Sequence, residues 1–523
     1  MAETEPIQLV CYSLCFILVA TILVKLKLRS SSSSALRGLN LPPGPWSMPV
    51  LGHMQFLIGA LPHRALRGLA RRHGPVMLLR LGHVPTLVLS SAEAARAALK
   101  APHDAAFAGR PMHATASIIT YGGENIAFAR HDSRHWKALR TLCTVELLSP
   151  GRVRSFRPVR DQEAARLVYS VLAAGAGGSA VNVSEKVKVM MNDVIMRVSV
   201  GDTCRQRAAY LEELDRMLDL MSGFNLTDLF PASRLARVLG GGSLKAAWAV
   251  QRRMHGIMED MIRDHKRAMD TELQEPEATG HDADEREDIL TTLLRFQRDG
   301  GIGDIALTNE NVSGVLSDVF SAGSETTATT VIWAMSELMR SPRTMAAAQS
   351  EVRRALHGKT AVTEADIDSG RLLYLEMVIK ETFRLHPPLP LLLPKLCTEP
   401  SKVMGYDVPA GTTVFVNVWA IGRDEDSWTT DAGEFKPERF ESEAVDYGGT
   451  DFRFLPGGAG RRMCPGMIFG MSNIMIALAS LLYHFDWKLP GGKSPKKLDM
   501  AETYGITARR KTDLMLEATP FVP

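Results

Sequence analysis

Cys464 lies in Phe454-Leu-Pro-Gly-Gly-Ala-Gly-Arg-Arg-Met-Cys-Pro-Gly466, a glycine-rich loop with Arg461 and Arg462 just ahead of the sulfur. The thiolate, not the thiol, ligates metal, and neighbouring positive charge favours it. Gly458, Gly460 and Gly466 let the backbone approach a bulky planar group closely. The chemistry implied is metal ligation by a sulfur anion beneath a flat cofactor. The other cysteines, at 11, 15, 143, 204 and 397, lack this setting and read as small hydrophobes.

Three further clusters could act on such a centre. Ala322-Gly323-Ser324-Glu325-Thr326-Thr327 falls midway along a helical pattern over 310–340. A glycine and a run of hydroxyls are unfavourable inside a helix, and broken local rules tend to mark functional positions. A hydroxyl beside a carboxylate can pass protons through water, which makes Thr326 and Glu325 the candidate catalytic pair. Glu381 and Arg384, at i and i+3, share a helix face. That spacing alone says little, because roughly two such pairs arise by chance in a chain this long. Trp136 and Arg140, one turn apart, face one side of another helix, and the arginine suits a carboxylate.

The elements that must position these groups are mostly helical. Short apolar runs at 74–82 and 86–90, bounded by Gly, Pro and Ser, predict two strands joined by a turn at 83–85. Helical periodicity follows at 92–100, 135–148, 162–174, 185–200, 208–220, 246–269, 289–298, 310–340 and 344–356. The acid-rich stretch 272–288 reads as a flexible surface loop. Prolines at 42, 43 and 45 stiffen the segment ahead of the first strand.

Composition narrows the class. The 523 residues are 45% hydrophobic and 23% charged, as in ordinary globular proteins. A net charge of +3, with no arginine-rich stripe, argues against nucleic acid as a partner. The six cysteines form neither a disulfide framework nor a zinc pattern, so the body belongs in a reducing compartment. Residues 7–24 are nearly all apolar and are followed by Lys25, Lys27, Arg29 and a serine run. Glu3 and Glu5 precede them, opposite to a cleavable signal. A single membrane anchor is predicted, with the rest of the chain on the cytosolic side.

Taken in order, the Pro-Pro-Gly-Pro hinge, Trp136-x-x-x-Arg140, Ala322–Thr327, Glu381-x-x-Arg384, Pro437-Glu-Arg-Phe440 and the Cys464 loop resemble the cytochrome P-450 family. The likeness is closest to plant microsomal members of A type, the large specialised-metabolism clan of grasses. It covers essentially all of the chain after residue 40. It implies a mainly α fold with small β-sheets, the cytochrome P-450 fold, preceded by a single N-terminal transmembrane helix. The domains would be a lumenal 1–6, an anchor over 7–24, a basic and serine-rich linker with the hinge over 25–46, and a heme-thiolate monooxygenase domain over 47–523.

The resemblance also implies roles. Cys464 would be the proximal ligand of heme b, favouring O–O cleavage. Trp136, Arg140, Lys395 and Arg462 would serve the heme propionates, Gly323 would make room for dioxygen, and Gly466 would let the backbone approach the ring. Glu381, Arg384 and Arg439 would form a buried structural network. Tyr121, Phe224, Phe320, Leu391 and Ile506 would face an apolar substrate pocket. Electrons would come from NADPH through a membrane-bound reductase, with cytochrome b5 an admissible second donor, at the endoplasmic reticulum membrane. The implied reaction is hydroxylation of a lipophilic small molecule, a terpenoid or an alkylated phenolic among others.

Two departures stand out. Gly457 occupies the position seven before the cysteine, where the family carries Phe, and Lys395 stands where plant relatives often carry Arg. Two alternative readings stay open. One is a heme-thiolate isomerase or dehydratase working without external electrons. The other, suggested by Gly457, is a heme-binding protein with impaired turnover.

Overall fold

The computed structural model describes residues 38–521 except 202–205, 223–224, 275–286, 369 and 443–444. The expected anchor over 7–24, the lumenal residues, most of the linker, Phe224 and most of the acid-rich loop lie outside the described residues.

The elements that frame the interior are, in chain order, β1 (Val76–Leu81), β2 (Val84–Leu89), α1 (Arg134–Leu142), α2 (Val183–Val200), α3 (Arg207–Leu220), α4 (Gly241–Gln274), α5 (Asn309–Arg340), α6 (Leu373–Leu385), β3 (Lys395–Leu396), β4 (Thr413–Val416), α7 (Met467–His484), β5 (Glu502–Tyr504) and β6 (Ala508–Arg510). Helices form the bulk of the fold, and a sheet of order β1-β2-β4-β3 lies toward the N-terminal side. β1 and β2 pair antiparallel from Val76↔Leu89 to Leu81↔Val84, so the turn is Gly82-His83 and Pro85 falls inside β2. The sequence reading had placed Pro85 in the turn. Pro85 faces Arg80, whose amide and carbonyl bond to His53 instead, so the missing proline N–H leaves no partner unpaired.

The proline-rich segment is docked on this sheet. Leu78 N donates to Pro43 O at 3.0 Å, and His53 Nε2 lies 2.9 Å from Pro45 O. A Cβ on Gly44 would come within 2.5 Å of Leu78 O, so only glycine allows this approach.

α5 is the central element. A capping box opens it, in which Thr308 Oγ1 accepts from Asn311 N and Asn311 Oδ1 accepts from Thr308 N, satisfying two orphan donors. Its 32 residues span about 48 Å at 1.5 Å per residue. The interior hydroxyls that looked unfavourable bond back one turn: Ser324 to Phe320 O, Thr326 to Ala322 O, Thr327 to Gly323 O and Thr330 to Thr326 O. α2 crosses α5 closely because Gly323 has no side chain. A Cβ there would sit 2.6 Å from Ile195 Cδ1.

Among the described residues one helix, α7, is long and apolar enough to cross a membrane. It is the core helix behind the cysteine loop, with Ile476 to Leu482 buried.

Candidate active site

The cysteine loop enters from Phe454, whose ring packs on Phe440 and Tyr447, and ends at Gly466, the N-cap of α7. Gly458 and Gly460 take φ of 73° and 70°, backbone states that other residues rarely adopt. Cys464 N donates to Gly457 O at 2.9 Å. The sulfur is exposed, but onto an internal cavity of about 360 Å³ whose opposite wall is α5.

Burial pushes the Cys464 thiol up, while the Gly466 amide and the Arg140 guanidinium pull it back toward the thiolate. Sequence reasoning had given that charge to Arg461 and Arg462, and the structure corrects it. Arg461 is turned to Asp104, amide at 3.0 Å and Nε at 3.5 Å. Arg462 donates to the carbonyls of Ala108, Ile126 and Ala129, and its guanidinium lies 4.7 Å over the Trp136 ring. Arg140 reaches the loop from α1, donating to Met463 O at 2.7 Å. Ser133 caps α1 by accepting from Trp136 N, and Trp136 Nε1 donates to Ile126 O.

Lys395 and Arg462 share the cavity edge with Arg110, a buried arginine that sequence reasoning missed. Arg110 donates to Ala127 O, Leu393 O and Pro394 O. Burial and the neighbouring Arg462 bring it down to about 9. Lys395 is held well below its ordinary value by burial and by both arginines. The acid that acts on both arginines is Asp318 of α5, also missed, which accepts from Asn125 Nδ2 and Ala127 N. Burial raises it to about 6 despite those bonds. Nothing singled out Arg110 among 61 lysines and arginines, because its burial is a tertiary fact. The cluster is a concentration of poorly neutralised positive charge.

On the opposite wall, Ala322, Gly323, Glu325 and Thr326 line the cavity. Gly323 contributes backbone, its missing side chain being required by Ile195. Thr326 Oγ1 donates to Ala322 O at 2.7 Å, which leaves its lone pairs free to accept. Glu325 Oε1 accepts from Thr507 Oγ1 at 3.0 Å and forms an ion pair with Arg509, Nε 2.6 Å away.

Of the expected pocket residues, Tyr121 and Ile506 line the cavity. Tyr121 pairs its hydroxyl with His255 Nδ1 of α4. Two expectations fail. Phe320 is buried against Tyr210 of α3, ring centroids 4.9 Å apart, because its position on α5 points it between helices. Leu391 belongs to the core beneath the sheet, with Leu66, Val88 and Phe230. Its neighbours Leu389, Leu392 and Leu393 form the wall instead. Phe224 lies outside the described residues.

Gly457 has a local explanation. A Cβ there would meet Met467 Sδ at 2.7 Å and Cys464 Cβ at 3.3 Å. The thioether of Met467 therefore fills the space beside the cysteine that a side chain at 457 would need.

Behind the loop, Glu381 and Arg384 are fully buried and paired, Nε to Oε2 at 2.6 Å and Nη2 to Oε1 at 2.7 Å. Glu381 Oε1 also accepts from Arg439 Nε at 3.0 Å and Lys436 N at 2.8 Å. Arg384 continues to the carbonyls of Gly422, Ala432 and Glu434. Arg439 reaches Asp431 Oδ1 and O. The network ties α6 to the chain that leads into the cysteine loop.

A model of the cytochrome P450 family matches residues 42–516. The chain is a cytochrome P450. Zealexin A1 synthase of Zea mays is 45% identical over 95% of this chain and 96% of its own. The ent-isokaurene C2/C3-hydroxylase of Oryza sativa subsp. japonica is 46% identical, covering 97% and 96%. The dolabradiene monooxygenase of Zea mays is 44% identical, covering 95% and 96%. A zebrafish cytochrome P450 solved with progesterone superposes with a TM-score of 0.73 at 25% identity, over 88% of this chain and all of that one. This P450 is thus a heme-dependent monooxygenase of plant specialised metabolism with a helix-rich fold.

Proposed function

We propose that this P450 hydroxylates a terpenoid, inserting one atom of dioxygen while the other leaves as water. The observation that carries the reading is the cavity itself: a cysteine sulfur on one wall, a threonine and a carboxylate on the other, and apolar side chains between. The hydroxylase and monooxygenase relatives support the substrate class.

The residues present fit heme b. Cys464 would hold the heme iron through its sulfur, and the clustered basic side chains Arg110, Lys395 and Arg462, with Arg140, would match two propionate carboxylates. The Trp136 ring lies under the Arg462 guanidinium. Heme, when bound, supplies dioxygen binding and activation. The Gly466 amide and Arg140 favour the sulfur anion against the burial that disfavours it. Thr326 orients water beside the distal site, and Glu325 supplies protons to that water. Glu381, Arg384 and Arg439 fix the loop. Ile119, Ile126, Val319 and Ile506 exclude bulk water and orient an apolar substrate.

Electrons reach the cysteine side from NADPH through a flavoprotein reductase, with cytochrome b5 as a further donor. The exposed Arg134 and Lys137 of α1 and the half-exposed Arg461 give that face the positive charge for docking. Membrane seating at the endoplasmic reticulum is supported by an apolar face. Trp46, Ile58, Leu235, Val238 and Leu239 are all exposed, and Ala236 packs in one cluster with Leu57, which places both segments on one side. Arg234, Arg237 and Lys245 flank it in sequence. The anchor over 7–24 would then enter the same membrane, leaving the body over 47–523 in the cytosol.

Full-length protein in membranes, given reductase, NADPH and ¹⁸O-labelled dioxygen, is expected to place one labelled oxygen in a terpenoid hydrocarbon. Product formed without NADPH would instead indicate the isomerase or dehydratase reading. Heme binding without any product would support the impaired heme-binder.

A further inference from the structure

The carboxylate of Glu325 faces two spaces. It lines the main cavity and also a second, polar one of about 70 Å³, walled by Lys188 and Asn192 of α2, Asp215 of α3 and Ser324. A cavity needs only about 10–15 Å³ to hold one water, so the second space has room for several. Among the described residues every contact to Glu325 falls on one oxygen. Oε1 accepts from Thr507 Oγ1 at 3.0 Å and Thr329 Oγ1 at 3.3 Å and forms an ion pair with Arg509, Nε 2.6 Å away. Among the described residues no donor reaches Oε2, which is left for water.

Thr507 comes from the turn between β5 and β6, which also carries Ile506 into the substrate wall, and Arg509 follows on β6. The turn is firmly held. Glu502 of β5 is bound by His63 and Arg64. Ala508 of β6 donates its N–H to Pro388 O and accepts from Trp333 Nε1. Arg510 bonds Ser336 Oγ. Arg509 itself spans two helices, with Nη1 3.9 Å from Asp215 Oδ1. It also donates to Thr507 Oγ1 at 3.3 Å, so Arg509, Thr507 and Glu325 form a closed triangle.

We propose that Arg509 and Thr507 are positioning residues for the proton supply. They clamp Glu325 Oε1 so that Oε2 links the polar cavity to the distal site. The charged groups facing Glu325 are Arg509 of β6, Lys188 of α2 and Asp215 of α3. Burial raises the Glu325 carboxyl, and Arg509, Thr507 and Lys188 oppose that rise while Asp215 adds to it. Removing Arg509 removes the largest opposing influence. The carboxyl then takes up its proton at higher pH and gives it up less readily.

The clamp rests on the reading of Glu325 as proton donor, and the experiment separates the two. Infrared titration of the ferric holoenzyme, with Glu325→Gln as the blank, isolates the carbonyl stretch of protonated Glu325. Arg509→Gln should move that titration to higher pH, and Arg509→Lys should restore most of it. Peroxide released per NADPH is measured with the terpenoid that turns over in the labelled-dioxygen assay. Its pH profile should shift with the titration. An unmoved carbonyl titration in Arg509→Gln overturns the clamp. So does a moved titration with an unmoved peroxide profile. If Glu325→Gln leaves the peroxide share at the parent value, the donor reading itself is overturned, whatever Arg509 does.

Discussion

Glu381→Ala is expected to lose about 3–5 kcal/mol, the range for removing one partner of a buried ion pair. Little folded, heme-containing protein should remain. Among the described residues the carboxylate is the only acid bonded to Arg384, whose side chain is fully buried, and Arg439, also nearly buried, depends on it too. Its removal leaves one guanidinium with carbonyls alone and a second with only Asp431 and carbonyls. Lys436 N also loses its acceptor. A loss of this size is a large share of the roughly 5–15 kcal/mol that stabilises a typical protein. Urea unfolding followed by fluorescence, with heme content per chain, measures it. Asp132→Ala breaks the exposed Arg130 pair and should leave the unfolding midpoint where it was. Equal effects of the two substitutions would contradict the network's role.

Gly457→Phe, which restores the family's usual residue, should destabilise this P450 by about 1–3 kcal/mol, as overpacking typically does. The new Cβ would lie 2.7 Å from Met467 Sδ and 3.1 Å from its Cγ, so the ring and the thioether compete for one space beside Cys464. Methionine is adaptable, yet the new Cβ also meets Cys464 Cβ at 3.3 Å, tighter than ordinary contact. Pairing Gly457→Phe with Met467→Ala should recover most of the loss. The resulting coupling, read from a double-mutant cycle in urea, should be favourable by a comparable amount. Additive effects, or a Gly457→Phe protein as stable as its parent, would mean that Met467 does not fill the phenylalanine's place.

The sequence reading went far where function demands local oddity. The cysteine loop and the hydroxyl-rich stretch of α5 break ordinary expectations and line the cavity, whereas the Glu381-x-x-Arg384 pair, common by chance, gained its meaning only from the family resemblance and lies directly behind it. It also placed the α5 boundary within one residue, because a 32-residue helix carries a long periodic signal. What escaped it was tertiary. Phe320 and Val319 are adjacent and both apolar, yet only Val319 meets the cavity, and the difference lies in how α5 is rotated against α3. Leu391 and Leu392 differ in the same way within an irregular segment that has no period to read. Arg110 and Asp318 gain their meaning from burial, which composition does not report. Gly457 looked like a defect in the loop until Met467, ten residues on, was seen to occupy its space.

The most direct test of the account is the absorption spectrum of dithionite-reduced protein under carbon monoxide, on membranes carrying the full chain. The account predicts the red-shifted Soret band of a thiolate-ligated heme, with Cys464 as the ligand and Gly457 in place. A band at the shorter wavelength of a neutral or histidine ligand would contradict it, because the loop would then be unable to hold the sulfur as an anion.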